Sequence, residues 1–170
     1  MGKTLGVLAG VGHLPVDVVR GARKEGYRTV AIGLVPGTHE DLPGEADAFY
    51  AINIGKVGRI FKTLQKEGVD EVTMIGKVTK EILYSGGVLV PDWQAIKILM
   101  SLPDRHDDTI MNALVAKLES LGIHVMDQTL FLKDLMPQEG VLSKRKPTRE
   151  EWEDMQYGFA MAKKIGGLDI

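Results

Sequence analysis

The 170-residue chain has no cysteine, which excludes disulfides, thiolate zinc sites and thiol nucleophiles. Its 21 basic and 23 acidic residues nearly cancel, and without a basic stripe the composition argues against nucleic-acid binding. No run approaches the roughly 18 apolar residues that span a bilayer, and the first strand begins too early for a signal peptide. We therefore expect a cytoplasmic α/β protein.

Short apolar runs alternate along the chain with amphipathic stretches of about a dozen residues, the pattern of parallel strands joined by right-handed helical crossovers. We predict a Rossmann-like, doubly wound, mostly parallel five-stranded sheet in the order 3-2-1-4-5. The stretch 82–90 is left unassigned because Gly86 and Gly87 interrupt it. The predicted strands are 4–9, 27–35, 48–54, 71–75 and 123–126, and the predicted helices are 14–24, 57–65, 92–100 and 109–121.

The character of the sequence changes after the fifth predicted strand. Residues 1–135 are predicted to form the Rossmann-like N-terminal domain, and residues 136–170 a linker and a helix over 150–164 that lead towards a C-terminal domain. The final Leu168-Asp169-Ile170 is typical of the start of another strand.

A glycine-containing loop follows the first predicted strand, where doubly wound sheets bind their ligands. Gly10 and Gly12 would let the backbone approach a ligand closely, His13 lies beside them, and Pro15 suits the first turn of the next helix. The alternative is a tight turn that requires a positive φ. A dinucleotide site is disfavoured, because Pro15 replaces the third glycine of the G-x-G-x-x-G motif and no acidic residue ends the second strand.

Three further polar residues are candidates for ligand contact. Lys77, after the fourth strand, could pair with a phosphate or simply be solvated. Asp107 and Asp108 precede a strong helical pattern, where they could orient a substrate sugar, hold a divalent cation or cap the helix. His39 and His124 suggest only a surface loop and a strand.

A series of short motifs runs in order through the whole chain. They are residues 6–15 (GVLAGVGHLP), 55–58 (GKVG), 68–72 (GVDEV), 76–78 (GKV), 91–92 (PD), 106–108 (HDD), 119–122 (ESLG) and 168–170 (LDI). Their order and spacing resemble one UDP-2,3-diacylglucosamine pyrophosphatase family of lipid A biosynthesis, the type unrelated to calcineurin-like phosphoesterases. The family typically has glycine where this chain has His106.

The resemblance implies a bacterial hydrolase that cleaves UDP-2,3-diacylglucosamine to UMP and 2,3-diacylglucosamine 1-phosphate with the help of Mg²⁺ or Mn²⁺. It implies two domains, with the catalytic aspartate in a C-terminal domain that this chain does not reach. We therefore expect no turnover by this chain alone, and its metal ligands stay unassigned. A lipid substrate would bring the protein to the inner-membrane surface, and the chain could also form a homodimer.

The alternative function is a non-catalytic nucleotide- or sugar-phosphate-binding regulatory module. The substrate contacts carried over are Gly10, Gly12, His13, Pro15, Lys77, Asp107 and Asp108.

Overall fold

Five parallel strands form one sheet in the described part of the chain. The computed structural model describes residues 2–78, 91–103 and 107–167. The strands are β1 (Thr4–Ala9), β2 (Arg28–Gly33), β3 (Ala48–Ala51), β4 (Glu71–Ile75) and β5 (His124–Val125). They pair in the order β3-β2-β1-β4-β5, with β1 between β2 and β4. The predicted fold class and strand order are confirmed.

Between successive strands the described part of the chain forms helices, as parallel pairing requires. They are α1 (Leu14–Lys24), α2 (Leu42–Glu45), α3 (Val57–Lys66), α4 (Trp93–Ser101) and α5 (Asp107–Ser120). After β5 come a 3₁₀ turn at Lys133–Leu135 and helix α6 (Arg149–Gly166). The four-residue α2 lies in a stretch that the sequence predicts as loop, because one helical turn is too short to show a period. The unassigned stretch 82–90 and the predicted terminal strand at 168–170 lie outside the described residues. In the described part of the chain, no helix combines the length and the apolar character needed to cross a membrane.

Two apolar clusters hold the sheet domain together. In β1, Leu5 and Val7 belong to the cluster that contains α1, whereas Leu8 belongs to the cluster that contains α3 and part of α5. Side chains of a strand point alternately to opposite faces, so the two clusters cover the two faces of the sheet. Burial on both faces explains why β1 reads as a continuous apolar run.

The chain divides into two compact units, residues 1–134 and residues 135–170. The second unit contains α6, which begins with a capping box: Thr148 Oγ1 accepts from the Glu151 N–H, and the Glu151 carboxylate accepts from the Thr148 N–H. No residue of α6 is buried. The start of α6 is therefore fixed by hydrogen bonds between residues close in sequence, and not by burial of its side chains.

Candidate ligand-binding edge of the sheet

The direction of strand order changes at β1 and β4. From β1 the chain crosses to β2 and β3 on one side, and later elements continue at β4 and β5 on the other. Ligands of doubly wound sheets bind at such a switch point, outside the carboxyl ends of the strands. Here that place is bordered by the loop that follows β1, residues 10–13, and by Gly76 and Lys77 after β4. The structure thus brings these two predicted segments together.

Two backbone hydrogen bonds between Val11 and Lys77 link the two segments, and we call this contact the joint. The Val11 N–H donates to the Lys77 carbonyl (2.9 Å), and the Lys77 N–H donates to the Val11 carbonyl (2.8 Å). A Cβ added to Gly10 would lie 2.7 Å from the carbonyl carbon of Gly76, and one added to Gly76, whose φ is +98°, would lie 2.8 Å from that of Gly10. Both glycines are therefore needed for the backbones to pack against each other.

Gly12 has a different role from Gly10. Its φ is +112°, a conformation that favours glycine, and no atom lies within 4 Å of the position a Cβ would take. It is exposed, and it forms a parallel bridge with Thr38 in the loop after β2. This part of the loop consequently borders open space, whereas Gly10 is buried.

The remaining predicted contact residues differ in accessibility. Pro15 is buried at the start of α1, whereas Lys77 and Asp108 are exposed. Asp107 is the first residue of α5, and its side chain lies outside the described part of the structure. The roles of these residues in ligand contact stay predictions.

An apolar cavity of about 310 Å³ adjoins the joint. Gly10 and Gly76 line one part of it, and side chains such as Phe61, Met74 and Leu114 line another. These side chains come from α3, β4 and α5. The edge therefore combines polar loops with an apolar recess, the combination typical of small-molecule sites.

Asp92 fixes the start of two helices beside this edge. Its Oδ2 accepts from the Gly58 N–H in the first turn of α3 (2.8 Å), and its Oδ1 accepts from the Ala95 N–H in the first turn of α4 (2.9 Å). Its own N–H donates to the Gly55 carbonyl (2.8 Å). A Cβ on Gly58 would lie 3.1 Å from Asp92 Oδ2, which leaves little room for a larger residue there. The motifs at 55–58 and 91–92 thus form one structural contact, which the sequence alone did not reveal.

Two histidines lie together near the glycine loop. The ring centroids of His13 and His39 are 4.7 Å apart in an edge-to-face arrangement. Within residues 2–78, 91–103 and 107–167, one group of at least three potential metal ligands converges: His13, His39 and Asp41, whose ligand atoms all lie within 4.8 Å of one another. Imidazole nitrogens do not suit Mg²⁺, which prefers an octahedron of oxygen atoms. This group does not suit Mg²⁺, and the Mg²⁺ or Mn²⁺ that the resemblance implies stays a prediction.

A parallel sheet with a glycine loop and an apolar recess at its switch point defines a Rossmann-like ligand-binding domain. Residues 4–135 match the family described as LpxI N-terminal domain, and the chain belongs to that family. The resemblance predicted from the sequence motifs is confirmed.

A longer relative is known from Caulobacter vibrioides (strain ATCC 19089 / CIP 103742 / CB 15), the UDP-2,3-diacylglucosamine pyrophosphatase LpxI. It is 29% identical over 174 residues, a match that covers 99% of this chain and 59% of the relative. This chain thus spans about three fifths of the length of that relative.

More distant likeness extends to solved structures. UDP-glucose 4-epimerase from Thermotoga maritima is 17% identical with a TM-score of 0.46, covering 71% of this chain and 35% of the epimerase. Phosphoribosylglycinamide synthetase from Anaerococcus prevotii is 22% identical with a TM-score of 0.36, covering 44% of this chain and 18% of the synthetase. Likeness at this level says nothing about the site.

Proposed function

We propose that this chain is the substrate-binding N-terminal domain of a hydrolase that cleaves UDP-2,3-diacylglucosamine to UMP and 2,3-diacylglucosamine 1-phosphate. The observation that carries the proposal is its membership of the LpxI N-terminal domain family, together with a UDP-2,3-diacylglucosamine pyrophosphatase that matches nearly the whole chain. Catalysis needs a second, C-terminal domain, so the chain by itself binds ligand without turning it over.

The geometry of the sheet edge supports a role in substrate binding. Gly12 borders open space, and the exposed Lys77 side chain lies across the joint from the same loop. A lysine here supplies a positive charge for a phosphate, and the N-terminal end of α1 adds a favourable dipole. The apolar recess of about 310 Å³ offers a contrasting surface for the lipid portion of the substrate.

The predicted contact residues contribute in different ways. Pro15 is buried and shapes the start of α1, whereas Gly10 packs against Gly76 and lines the apolar recess. Gly12, His13 and Lys77 are exposed and can touch it directly.

The first turn of α5 supplies the remaining predicted contacts. Asp107 and Asp108 stand there, where a carboxylate can accept hydrogen bonds from sugar hydroxyls.

We assign the Mg²⁺ or Mn²⁺ that the resemblance implies to ligands beyond the described residues. Pyrophosphate cleavage develops negative charge that a hard cation stabilises, and such a cation takes oxygen ligands. In the described part of the chain the converging group is instead rich in nitrogen. The proposal therefore assigns the hard-cation site to a C-terminal domain, and no step of catalysis to these residues.

The direct test is calorimetric titration of the folded chain with UMP and with 2,3-diacylglucosamine 1-phosphate, each with and without Mg²⁺. We expect at least one product to bind. Lys77→Ala should weaken binding of a phosphate-bearing product by about tenfold, because a charge-assisted contact contributes about 1.5 kcal/mol or more. Lys77 joins the adjacent loop through its backbone, so this substitution preserves the joint.

Lys24→Ala is the matched control, because Lys24 is an exposed lysine in the last turn of α1. Its binding should equal that of the unmodified chain. Absence of heat with both products from a folded sample would contradict the proposal that this domain binds substrate by itself. Hydrolysis of UDP-2,3-diacylglucosamine by the 170-residue chain would contradict the assignment of catalysis to another domain.

A further inference from the structure

We propose that His13, His39 and Asp41 form a binding site for a late first-row transition-metal ion such as Zn²⁺ or Co²⁺. The site goes beyond the proposed function and does not depend on it. Two imidazoles and one carboxylate match the ligand types that these ions take in open, three-ligand sites. The three side chains are exposed or half-buried, so an ion can reach them from solvent.

The backbone holds the two histidines near each other. His13 follows Gly12, whose bridge to Thr38 places His39 in the next position of the facing loop. Thr38 Oγ1 in turn donates to the Val35 carbonyl (2.8 Å), which fixes the turn before His39. The proximity of His13 and His39 therefore follows from the backbone of the fold.

The contacts of the ring nitrogens indicate which atoms can hold an ion. His13 Nδ1 is 2.9 Å from Asp17 Oδ2, which leaves His13 Nε2 for an ion. His39 Nδ1 lies 3.7 Å from Asp41 Oδ2, so these two atoms can bind the same ion. His39 Nδ1 also accepts from the Asp41 N–H (3.2 Å), and an ion at this nitrogen would replace that hydrogen bond. A carboxylate bonded to the second nitrogen of a histidine is the usual outer-shell partner of a metal ligand, because it orients the ring and makes it more basic. Asp17 has that position relative to His13.

The charges of the group favour a cation. Asp17 and Asp41 bring two carboxylates to two imidazoles. The Arg20 guanidinium donates to Glu45 Oε1 at 2.7 Å, which raises the pKa of Arg20 and lowers that of Glu45, as expected for an ion pair. Asp41 and Asp17 contribute to the raised pKa of Arg20 as well, so its charge lies within electrostatic reach of the cluster without a hydrogen bond to it. The cluster is thus better suited to a divalent ion than to a phosphate.

Only small movements are needed to close the site. The three ligand atoms lie within 4.8 Å of one another, and ligand atoms about 2.1 Å from a tetrahedral ion are about 3.4 Å apart. The exposed side chains of His13 and Asp41 can close this difference by rotating about their χ angles. Three protein ligands leave one position open for water or another ligand.

The test is titration of the tag-free, metal-free chain with Zn²⁺ by calorimetry and with Co²⁺ by its visible absorption bands. We expect one ion per chain and displacement of Co²⁺ by Zn²⁺, with no such displacement by Mg²⁺. His13→Gln and His39→Gln should each weaken Zn²⁺ binding by about 100-fold. Asp17→Asn, which alters the outer-shell partner, should weaken it by about tenfold.

His124→Gln is the matched control, because His124 is also exposed and also lies beside a carboxylate, 3.0 Å from Glu119. It should bind Zn²⁺ as the unmodified chain does. The proposal fails if Zn²⁺ does not bind, or if His39→Gln binds it as tightly as His124→Gln does. Circular dichroism of each variant establishes that it is folded, and no side-chain cap is lost at His13 because it makes none.

Discussion

The unit of residues 1–134 and the unit of residues 135–170 are stabilised by different kinds of interaction. The first buries apolar side chains on both faces of a parallel sheet, and side chains such as Leu5, Val16 and Leu64 are fully buried. In the second, α6 buries no residue, and its N-terminus is held by a capping box and ion pairs. Core packing makes many residues depend on one another, whereas capping acts within a turn or two.

From this difference we expect a substitution in the first unit to change the stability of the whole unit, and a substitution in α6 to change the structure only locally. At the ligand-binding edge of the first unit, the contacts join elements from separate parts of the sheet, so their loss should lower the free energy of unfolding of the whole unit. In α6 the contacts join residues a few positions apart, so their loss should alter only the end of that helix.

Gly76→Ala should have the largest effect. The added methyl group would lie 2.8 Å from the Gly10 backbone, and φ at this position is +98°. Overpacking and backbone strain together should cost about 3 kcal/mol or more in the free energy of unfolding. Urea denaturation followed by circular dichroism measures this loss.

Gly44→Ala provides the control for this substitution, because no atom lies within 4 Å of the position of its Cβ. Its free energy of unfolding should change by no more than about 0.5 kcal/mol. Equal stability of the Gly76→Ala and Gly44→Ala proteins would show that the joint tolerates a side chain. It would contradict the conclusion that close packing of Gly10 and Gly76 requires glycine.

Asp92→Ala should have an intermediate effect. It removes the acceptors of one N–H in α3 and one in α4, and each lost cap should cost about 1 kcal/mol. The unfolding free energy in urea should therefore fall by about 2 kcal/mol. Asp92→Asn keeps one side-chain oxygen and should lose about half as much. If both variants unfold like the unmodified chain, Asp92 does not cap the two helices.

Acidification should have the smallest and most local effect. The Arg145 guanidinium, which donates two hydrogen bonds of 2.8 Å, lowers the pKa of Glu151 from 4.5 to about 2, with a further contribution from the Thr148 N–H. Because the folded pKa is below the unfolded one, the carboxylate stabilises the start of α6 above pH 4.5, and this contribution is lost as the pH falls through about 2. The amide NMR shifts of Thr148 and Glu151 should follow this titration.

Glu151→Gln separates the charge from the capping geometry, because glutamine also occurs at the third position of capping boxes. Its amide shifts should lose the acid-dependent step while the β1–β5 sheet remains unaffected. An acid transition that persisted unchanged in Glu151→Gln would assign the titration to another carboxylate.

Much of the fold could be predicted from the sequence because buried parallel strands and amphipathic helices have distinct periods. The strand order was predicted correctly, and α1 was predicted with the bounds observed. The ends of the edge strands were less accurate: β3 ends at Ala51 and not at residue 54, and β5 contains only His124 and Val125. Hydrogen bonding with the neighbouring strand determines where these strands end. The apolar character of the residues does not show which of them form those hydrogen bonds.

The candidate site was predicted less completely. The sequence indicated the loop that carries Gly10 and Gly12 but gave both glycines the same interpretation, whereas Gly10 packs against Gly76 and Gly12 adopts a positive φ in open space. It interpreted His39 only as a surface residue. The available signal was that His13 and His39 both follow strands, β1 and β2, that are neighbours in the predicted sheet.

The sequence by itself determined the class of fold, the order of strands and the family, because each depends on patterns and motifs that are local along the chain. Only the tertiary structure decided which segments meet: Gly10 with Gly76, Asp92 with the start of α3, and His13 with His39. The physical reason is that these contacts form between residues distant in sequence, and their distances depend on how the strands are aligned within the sheet.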